Sequence, residues 1–267
     1  MLPIAFSHSF PAPVWRLLFE QVSGAPGRVL VEWRDGEARR LGISAMSLPE
    51  GQILSSETAE LPWSSSVMGV WNGLALYHRL GNERLPVPTA LGCFDPDMGH
   101  TRWEWPNHLL LSCDGIQVEA RPTAPSESGH PSVFFDLQSG RPQTGSAPLL
   151  PGPDDRLKYP VLYHRNSQYW PVVDRFVKKV TGQTPFERLH YAEVGDKILF
   201  SYYVYTENSP TEAFLLVSDR QARIRLHQPL AVNAAGTGTD ATAFCLWQNQ
   251  LLVLTEPTQL TGFFIDE

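Results

Sequence analysis

What most constrains this chain is a repeat. An apolar run of three to five residues ends in a small or polar residue and is usually followed, four positions on, by glycine. The copies are ISAMS-LPEG (43–51), LGCFD-PDMG (91–99), VFFD-LQSG (133–140), RFVKK-VTG (175–182), FLLVS-DRQA (214–222) and FFID (263–266). Taken between the run-ending residues Ser47, Asp95, Asp136, Lys178, Ser218 and Asp266, the spacings are 48, 41, 42, 40 and 48 residues, about 44 on average. A period of 40 to 48 residues is the length of one four-stranded propeller blade. Each copy reads as a strand, a tight turn and a returning strand, with the glycine supplying the positive φ that the turn needs.

Between the copies lie further strand-like runs: VWRLLFE, RVLVEW, VMGVW, LALYHRL, LLLSC, IQVEA, PVLYH, QYWPVV, KILFSYYVY, AFCLW and QLLVL. They suffice for three or four strands per repeat. Helical periodicity is almost absent, and the stretch 172–180 that has some coincides with a repeat copy, so it is read as extended. The sequence therefore predicts an all-β chain, a single β-propeller over residues 1–267. About six blades are expected, with five to seven compatible. The last copy, FFIDE, lacks the strand that follows the earlier ones, and the N-terminal IAFSHSF is expected to supply the outermost strand of that final blade, pairing both chain ends and hiding an edge.

Composition agrees. Hydrophobic residues make up 42% and charged residues 18%, too apolar a balance for disorder, and eight Trp, eight Tyr and 13 Phe beside 23 Pro and 20 Gly combine strand formers with turn formers. A net charge of -7 with scattered basic residues speaks against a nucleic-acid partner. No window approaches a membrane span and the first residues lack a signal peptide's basic and apolar regions, so a cytoplasmic monomer without a membrane partner is expected. Cys93, Cys113 and Cys245 suit neither a disulfide framework nor a zinc site and read as buried thiols. Two segments rich in Pro, Ser and Gly, 119–131 and 140–155, read as surface excursions.

ALGCFDPDMGHTRWEW and SVFFDLQSGRP resemble the repeat of quinoprotein-dehydrogenase-type propellers, a PQQ-like or WD40-like blade in which a strand, Asp, a Gly turn and Trp recur. The whole chain, including FSHSFPAPVWRL and LPWSSSVMGVWNGLALYHRL, is also similar to an uncharacterised domain-of-unknown-function family of Bacteroidota, which implies no activity. Quinone-dependent catalysis would imply adjacent cysteines and acidic calcium ligands. The chain has no Cys-Cys pair and no calcium-ligand set that maps residue by residue.

No nucleophile, zinc-protease, C-x-x-C or P-loop motif is present, so no catalytic residue, metal ligand or cofactor is assigned. Asp95-Pro-Asp97-Met-Gly99 opens like a calcium loop, but the later ligands do not follow and a turn requires the same residues. Gly236-Thr-Gly238 lacks the context of a dinucleotide site and reads as a loop. Leu-Tyr-His-Arg occurs at 76–79 and again at 162–165. On strands, alternation sets Tyr77 and Arg79 on one face and His78 on the other, and likewise for Tyr163, Arg165 and His164. These could meet an anionic or sugar-like ligand, or simply be ordinary strands. Trp63, Trp71, Trp103, Trp105, Trp170 and Trp247 are stacking or anchoring candidates, though packing explains most of them, and the irregular LPWSSSVMGVWNG makes Trp63 and Trp71 the best of the set. The expected role is a non-enzymatic binding module that engages a protein or small molecule through Trp63, Trp71, His78, Arg79, His108, His164 and Arg165. The alternative is a hydrolase or lyase acting on a sugar or lactone, with Asp and His gathered from distant positions.

Overall fold

The computed structural model describes residues 2–22, 24, 27–55, 59–81, 86–123, 131–145, 155–206, 209–230 and 244–265. In chain order its elements are β1 (Ile4–Ser9), then β2 (Val14–Phe19), β3 (Arg28–Asp35), β4 (Arg40–Ser47) and β5 (Glu60–Leu61). Next come β6 (Ser65–Trp71), β7 (Leu74–Leu80), β8 (Pro88–Asp95) and β9 (His100–Pro106), followed by β10 (His108–Cys113), β11 (Gln117–Pro122), β12 (Val133–Asp136) and β13 (Pro142–Gln143). After β14 (Leu157–Lys158) and β15 (Val161–His164), helix α1 (Trp170–Thr181) precedes β16 (Arg188–Val194), β17 (Lys197–Thr206), β18 (Ser209–Asp219) and β19 (Ile224–Leu230), and β20 (Phe244–Trp247), β21 (Gln250–Glu256) and β22 (Gln259–Phe264) end the series.

The described strands form five antiparallel sheets. Four of them run in sequence order: β2 to β5, β6 to β9, β10 to β13 and β15 to β19. The fifth has the order β1-β22-β21-β20-β14, with β1 antiparallel to β22 from Ile4 opposite Phe263 to Ser9 opposite Gln259. The N-terminal run thus takes the place expected of it beside the last repeat copy. The chain divides into two compact units, one of residues 15–48 and 52–154 and the other of residues 1–14, 49–51 and 155–267.

Each unit follows from strand alternation. In the first, β7 sends Ala75 and Tyr77 to one side, against Leu30, Leu41 and Ile43, and Leu74 and Leu76 to the other, against Cys113, Val118 and Phe135. In the second, β17 sends Leu199 into the core that Val217, Leu251 and Phe263 share, while Phe200 and Tyr202 lie under α1. A recurring device closes gaps in the sheets: an aromatic ring on one strand lies over the glycine opposite it on the next. Trp33 covers Gly42, Tyr77 covers Gly92 and Phe6 covers Gly262. A methyl group at Gly92 would sit 2.3 Å from Tyr77 Cζ, well inside contact distance.

Helix α1 overturns the extended reading of residues 172–180 and of QYWPVV. Pro171 suits a first helical turn, where its missing N–H costs no hydrogen bond. Trp170, Val173 and Val177, spaced i, i+3 and i+7, bury one stripe on the Phe200, Tyr202 and Leu216 face of the neighbouring sheet. Gly182, at φ 75°, ends the helix by donating its N–H to Lys178 O at 2.9 Å. The glycine read as a hairpin turn is therefore a helix cap. One of the six repeat copies forms no sheet, and five sheets are described where about six blades are expected. Residues 124–130 and 146–154 of the two Pro-rich segments, the Gly236–Gly238 loop and Asp266 lie outside the described residues. Among the described residues no helix is long and apolar enough to cross a membrane.

Candidate functional site

The residues singled out by sequence fall into three settings. Trp71 is core, 9% exposed among Leu74, Cys93 and Trp103. His78 is 4% exposed, and its Nε2 accepts the Leu110 N–H at 3.0 Å, which joins β7 to β10 and places the ring proton on Nδ1. Tyr77 and Arg79 share a face, as alternation requires: both reach Glu104 Oε2, the phenol donating at 2.9 Å and the guanidinium at 2.8 Å. Burial, with a smaller contribution from the bond to Glu104, pushes the Tyr77 phenol up to about 12 against the lowering effect of Thr101. His108 donates from Nδ1 to Pro106 O at 2.7 Å and packs edge-on against Phe135. Tyr77, His78 and Arg79 thus hold strands together, and Trp71 and His108 pack among neighbouring side chains.

Trp63 belongs to a different construction. Glu32 has no exposed side-chain surface, and its carboxylate is clasped by Arg16 Nε at 2.6 Å and by Arg34 Nη2 at 2.7 Å. The Arg34 guanidinium lies over both the Trp15 ring, at 5.1 Å, and the Trp63 ring, at 5.5 Å. Sequence inspection passes over Glu32, because a single acid inside RVLVEW carries no spacing signal.

The Asp and Gly of the repeat make turns. Asp95 Oδ1 accepts the N–H groups of Asp97 and Met98, each at 3.1 Å, and Oδ2 accepts Arg102 Nε and Nη2 at 2.9 and 2.8 Å. Asp219 repeats the scheme, accepting the N–H groups of Gln221 and Arg223 on Oδ1 and the guanidinium groups of Arg223 and Arg225 on Oδ2. Burial would raise the Asp219 carboxyl, but these donors overcome it and hold it near about 2. Among the described residues no group of three or more His, Cys, Asp or Glu side chains is arranged to hold a metal. Cys93, Cys113 and Cys245 are buried and form no disulfide, and burial pushes all three thiols up to about 12.

Among the candidates, His164 and Arg165 stand at an open concave surface. Among the described strands β15 is an edge that pairs with β16, and His164, its last residue, is exposed. The chain then turns into α1, with Ser167 N–H donating to His164 O at 2.8 Å and Arg165 N–H to Glu187 O at 2.9 Å. Two depressions flank Arg165. One, of about 520 Å³, is lined by Arg165, Trp170, Asp174, Lys178, the 182–186 connection, Val204 and Tyr205. The other, of about 490 Å³, is lined by His164, Arg165, Asn166, Glu187 and Arg188. Arg165 pairs with Glu187 at 3.4 Å and Lys178 with Asp174 at 2.9 Å, but both cations remain exposed to solvent.

Apolar surface accompanies these charges. Phe186 and Tyr205 pack ring to ring at 5.6 Å while remaining 38% and 62% exposed. Val161, Leu162, Tyr169 and Val172 are likewise exposed on β15 and α1. Of this surface only His164 and Arg165 stood out in the sequence, although residues 164–188 hold five of the chain's 21 Lys and Arg against two acids. Phe186 and Tyr205 carry no sequence signal, being 19 residues apart and brought together by the Phe186 N–H donating to Tyr203 O at 2.8 Å.

No family model matches the chain, and no curated protein does. Among solved structures it is similar to BamB from Moraxella catarrhalis, at 10% identity and a TM-score of 0.32 over 99% of this chain and 100% of that one. It is similar to the same degree, 10% identity and a TM-score of 0.32, to a member of the DUF4221 family from Bacteroides vulgatus, over 99% of this chain and 97% of that one. Likenesses this slight do not bear on function, which has to be argued from the chain's own residues.

Proposed function

We propose that this chain is a binding module on a β-propeller frame, and that it docks a protein partner through the surface formed by α1, β15 and the Phe186–Tyr205 pair. The single observation that carries the proposal is that aromatic and aliphatic side chains stand exposed around an open depression whose rim is cationic. Apolar surface of this kind costs hydration free energy until something covers it. The propeller frame is supported by the run of sequence-ordered antiparallel meanders and by the pairing of β1 with β22. A reducing, cytoplasmic setting fits three buried thiols that form no disulfide.

The hydrolase or lyase alternative draws no comparable support. Both carboxylates in the depressions, Asp174 and Glu187, are ion-paired to cations of the same wall. The test is affinity purification from the native host with the wild type and with Phe186→Ser/Tyr205→Ser, followed by native mass spectrometry. A partner chain retained by the wild type and lost by a variant of unchanged melting temperature supports the module. A retained small molecule with no partner chain would move the weight to the enzyme. A partner held equally by both would place docking elsewhere.

A further inference from the structure

Resting on that reading of the α1 face, we infer that the partner segment is an acidic peptide with an aromatic or branched apolar anchor, the anchor seated against Phe186 and Tyr205 and its carboxylates on Arg165 and Lys178. The chain as a whole carries a charge of -7, yet residues 164–188 carry five cations and two acids. The cations are placed at the apolar patch. Arg165 and Lys178 both line the depression that Phe186 and Tyr205 also line. On the outward side of α1, Val172, Arg175 and Lys179, spaced i, i+3 and i+7, are all exposed and so present a second strip of apolar surface beside positive charge.

The in-chain partners of the two rim cations leave them available. The Arg165–Glu187 pair is long, at 3.4 Å, with side chains 66% and 56% exposed, so it is worth little in water. The Lys178–Asp174 pair is an i, i+4 contact on a helix with the lysine 45% exposed, and such pairs add little to stability. A partner carboxylate would therefore displace little in order to bind, and Arg165 can receive it through two parallel N–H donors. The negative remainder of the surface would repel such a peptide elsewhere, so the basic face also selects where it lands.

The experiment is selection of a random twelve-residue peptide library, displayed on phage, against the wild-type protein and against Arg165→Glu/Lys178→Glu. The wild type is expected to enrich peptides of net negative charge that contain an aromatic or branched residue, and the charge-reversed protein to lose them and enrich basic peptides. Synthesised and labelled, the best acidic peptide is expected to lose about tenfold in affinity against the milder Arg165→Gln/Lys178→Gln and to weaken as salt rises from 50 to 300 mM, roughly halving the Debye length. The milder variant covers the case in which charge reversal disturbs α1, and melting curves on both check folding. Neutral or basic winners that still require Phe186 and Tyr205 would overturn the acidic assignment and leave the docking face standing. Winners indifferent to all four positions, or no winners, would overturn both.

Discussion

Glu32 shows how a charged residue can be buried in a strand without becoming a site. With no exposed side-chain surface, the carboxylate would carry a large desolvation cost were it not met by two guanidinium groups. Those groups are themselves fixed, since Arg16 Nη2 donates to Val67 O at 2.6 Å and Arg34 Nη2 to Ser65 O at 3.0 Å, which ties β2 and β3 to β6. Glu32→Gln removes the charge and leaves two partly buried cations facing each other. It is expected to destabilise the protein by about 3 kcal/mol, read as a lower urea midpoint. A midpoint within error of the wild type would show that solvent already screens the cluster. His78 supplies a second expectation at this scale. Burial lowers its pKa from the ordinary 6.5, and protonation would also cost Nε2 its bond from Leu110. With the folded value below the unfolded one, the stabilisation is full above pH 6.5 and is lost as pH falls from there through the lowered folded value. His8 and His227, also lowered by burial, add to the same slope. Between pH 7.5 and 5.5 the wild type should therefore lose more stability than His78→Gln, which keeps an acceptor but does not titrate. Parallel losses in the two proteins would remove His78 from the account.

At the scale of the element, the turns are where local chemistry and the repeat agree most closely. Gly51, Gly99 and Gly140 follow their strands at φ 70°, 70° and 65°, and at the corresponding place in the fifth copy Ala222 is held at φ 62°. A residue with a Cβ is strained there by roughly 1 kcal/mol, part of which glycine returns through the flexibility it adds to the unfolded chain. Ala222→Gly is expected to stabilise by about 0.5 kcal/mol, a rise of roughly 1 to 2 °C in melting temperature. A fall instead would mean that the hydrogen bonds to Asp219 already offset the strain. The same turns mark how far the sequence could be read. Strand identity and turn position were legible because alternation and the Asp and Gly requirement act locally. The nature of residues 170–182 was not, because WPVVDRFVKKVTG satisfies a short apolar run ending in glycine as well as it satisfies a helix. What decides between them is the Phe200, Tyr202 and Leu216 face that α1 covers, and that face exists only after β16, β17 and β18 have paired. The candidate site was legible only at His164 and Arg165. His78 in the twin tetrapeptide is core, because the strand β7 is interior to its sheet and β15 is an edge.

Taken as a whole molecule, the chain depends on a long-range pairing that no local rule supplies, that of β1 with β22. Leu2, Phe6 and Phe10 are buried, and Phe6 lies over two glycines: a methyl at Gly51 would sit 2.2 Å from its Cγ and one at Gly262 2.5 Å from its Cε1. Glycine at those positions is therefore a consequence of where the N-terminal ring lies. Three buried apolar side chains contribute roughly 1.5 to 3 kcal/mol each, from which the ordering of the backbone that carries them must be subtracted, leaving several kcal/mol. Without residues 1–10, β22 would become an uncovered edge next to a bare glycine, open to pairing with another chain. A protein lacking those residues is expected to melt on the order of 10 °C lower and to self-associate in size-exclusion chromatography. A synthetic peptide of residues 1–10 added in trans should restore much of the loss, because it can re-form the ladder from Ile4 to Ser9 and recover the Phe6 contact. An unchanged melting temperature would show that β1 only decorates a sheet already complete at β22. A lower one that the peptide does not restore would place the loss in the covalent connection from Phe10 into β2, whose Phe10 and Val14 N–H groups donate to Thr258 O at 2.7 Å and Pro257 O at 2.8 Å.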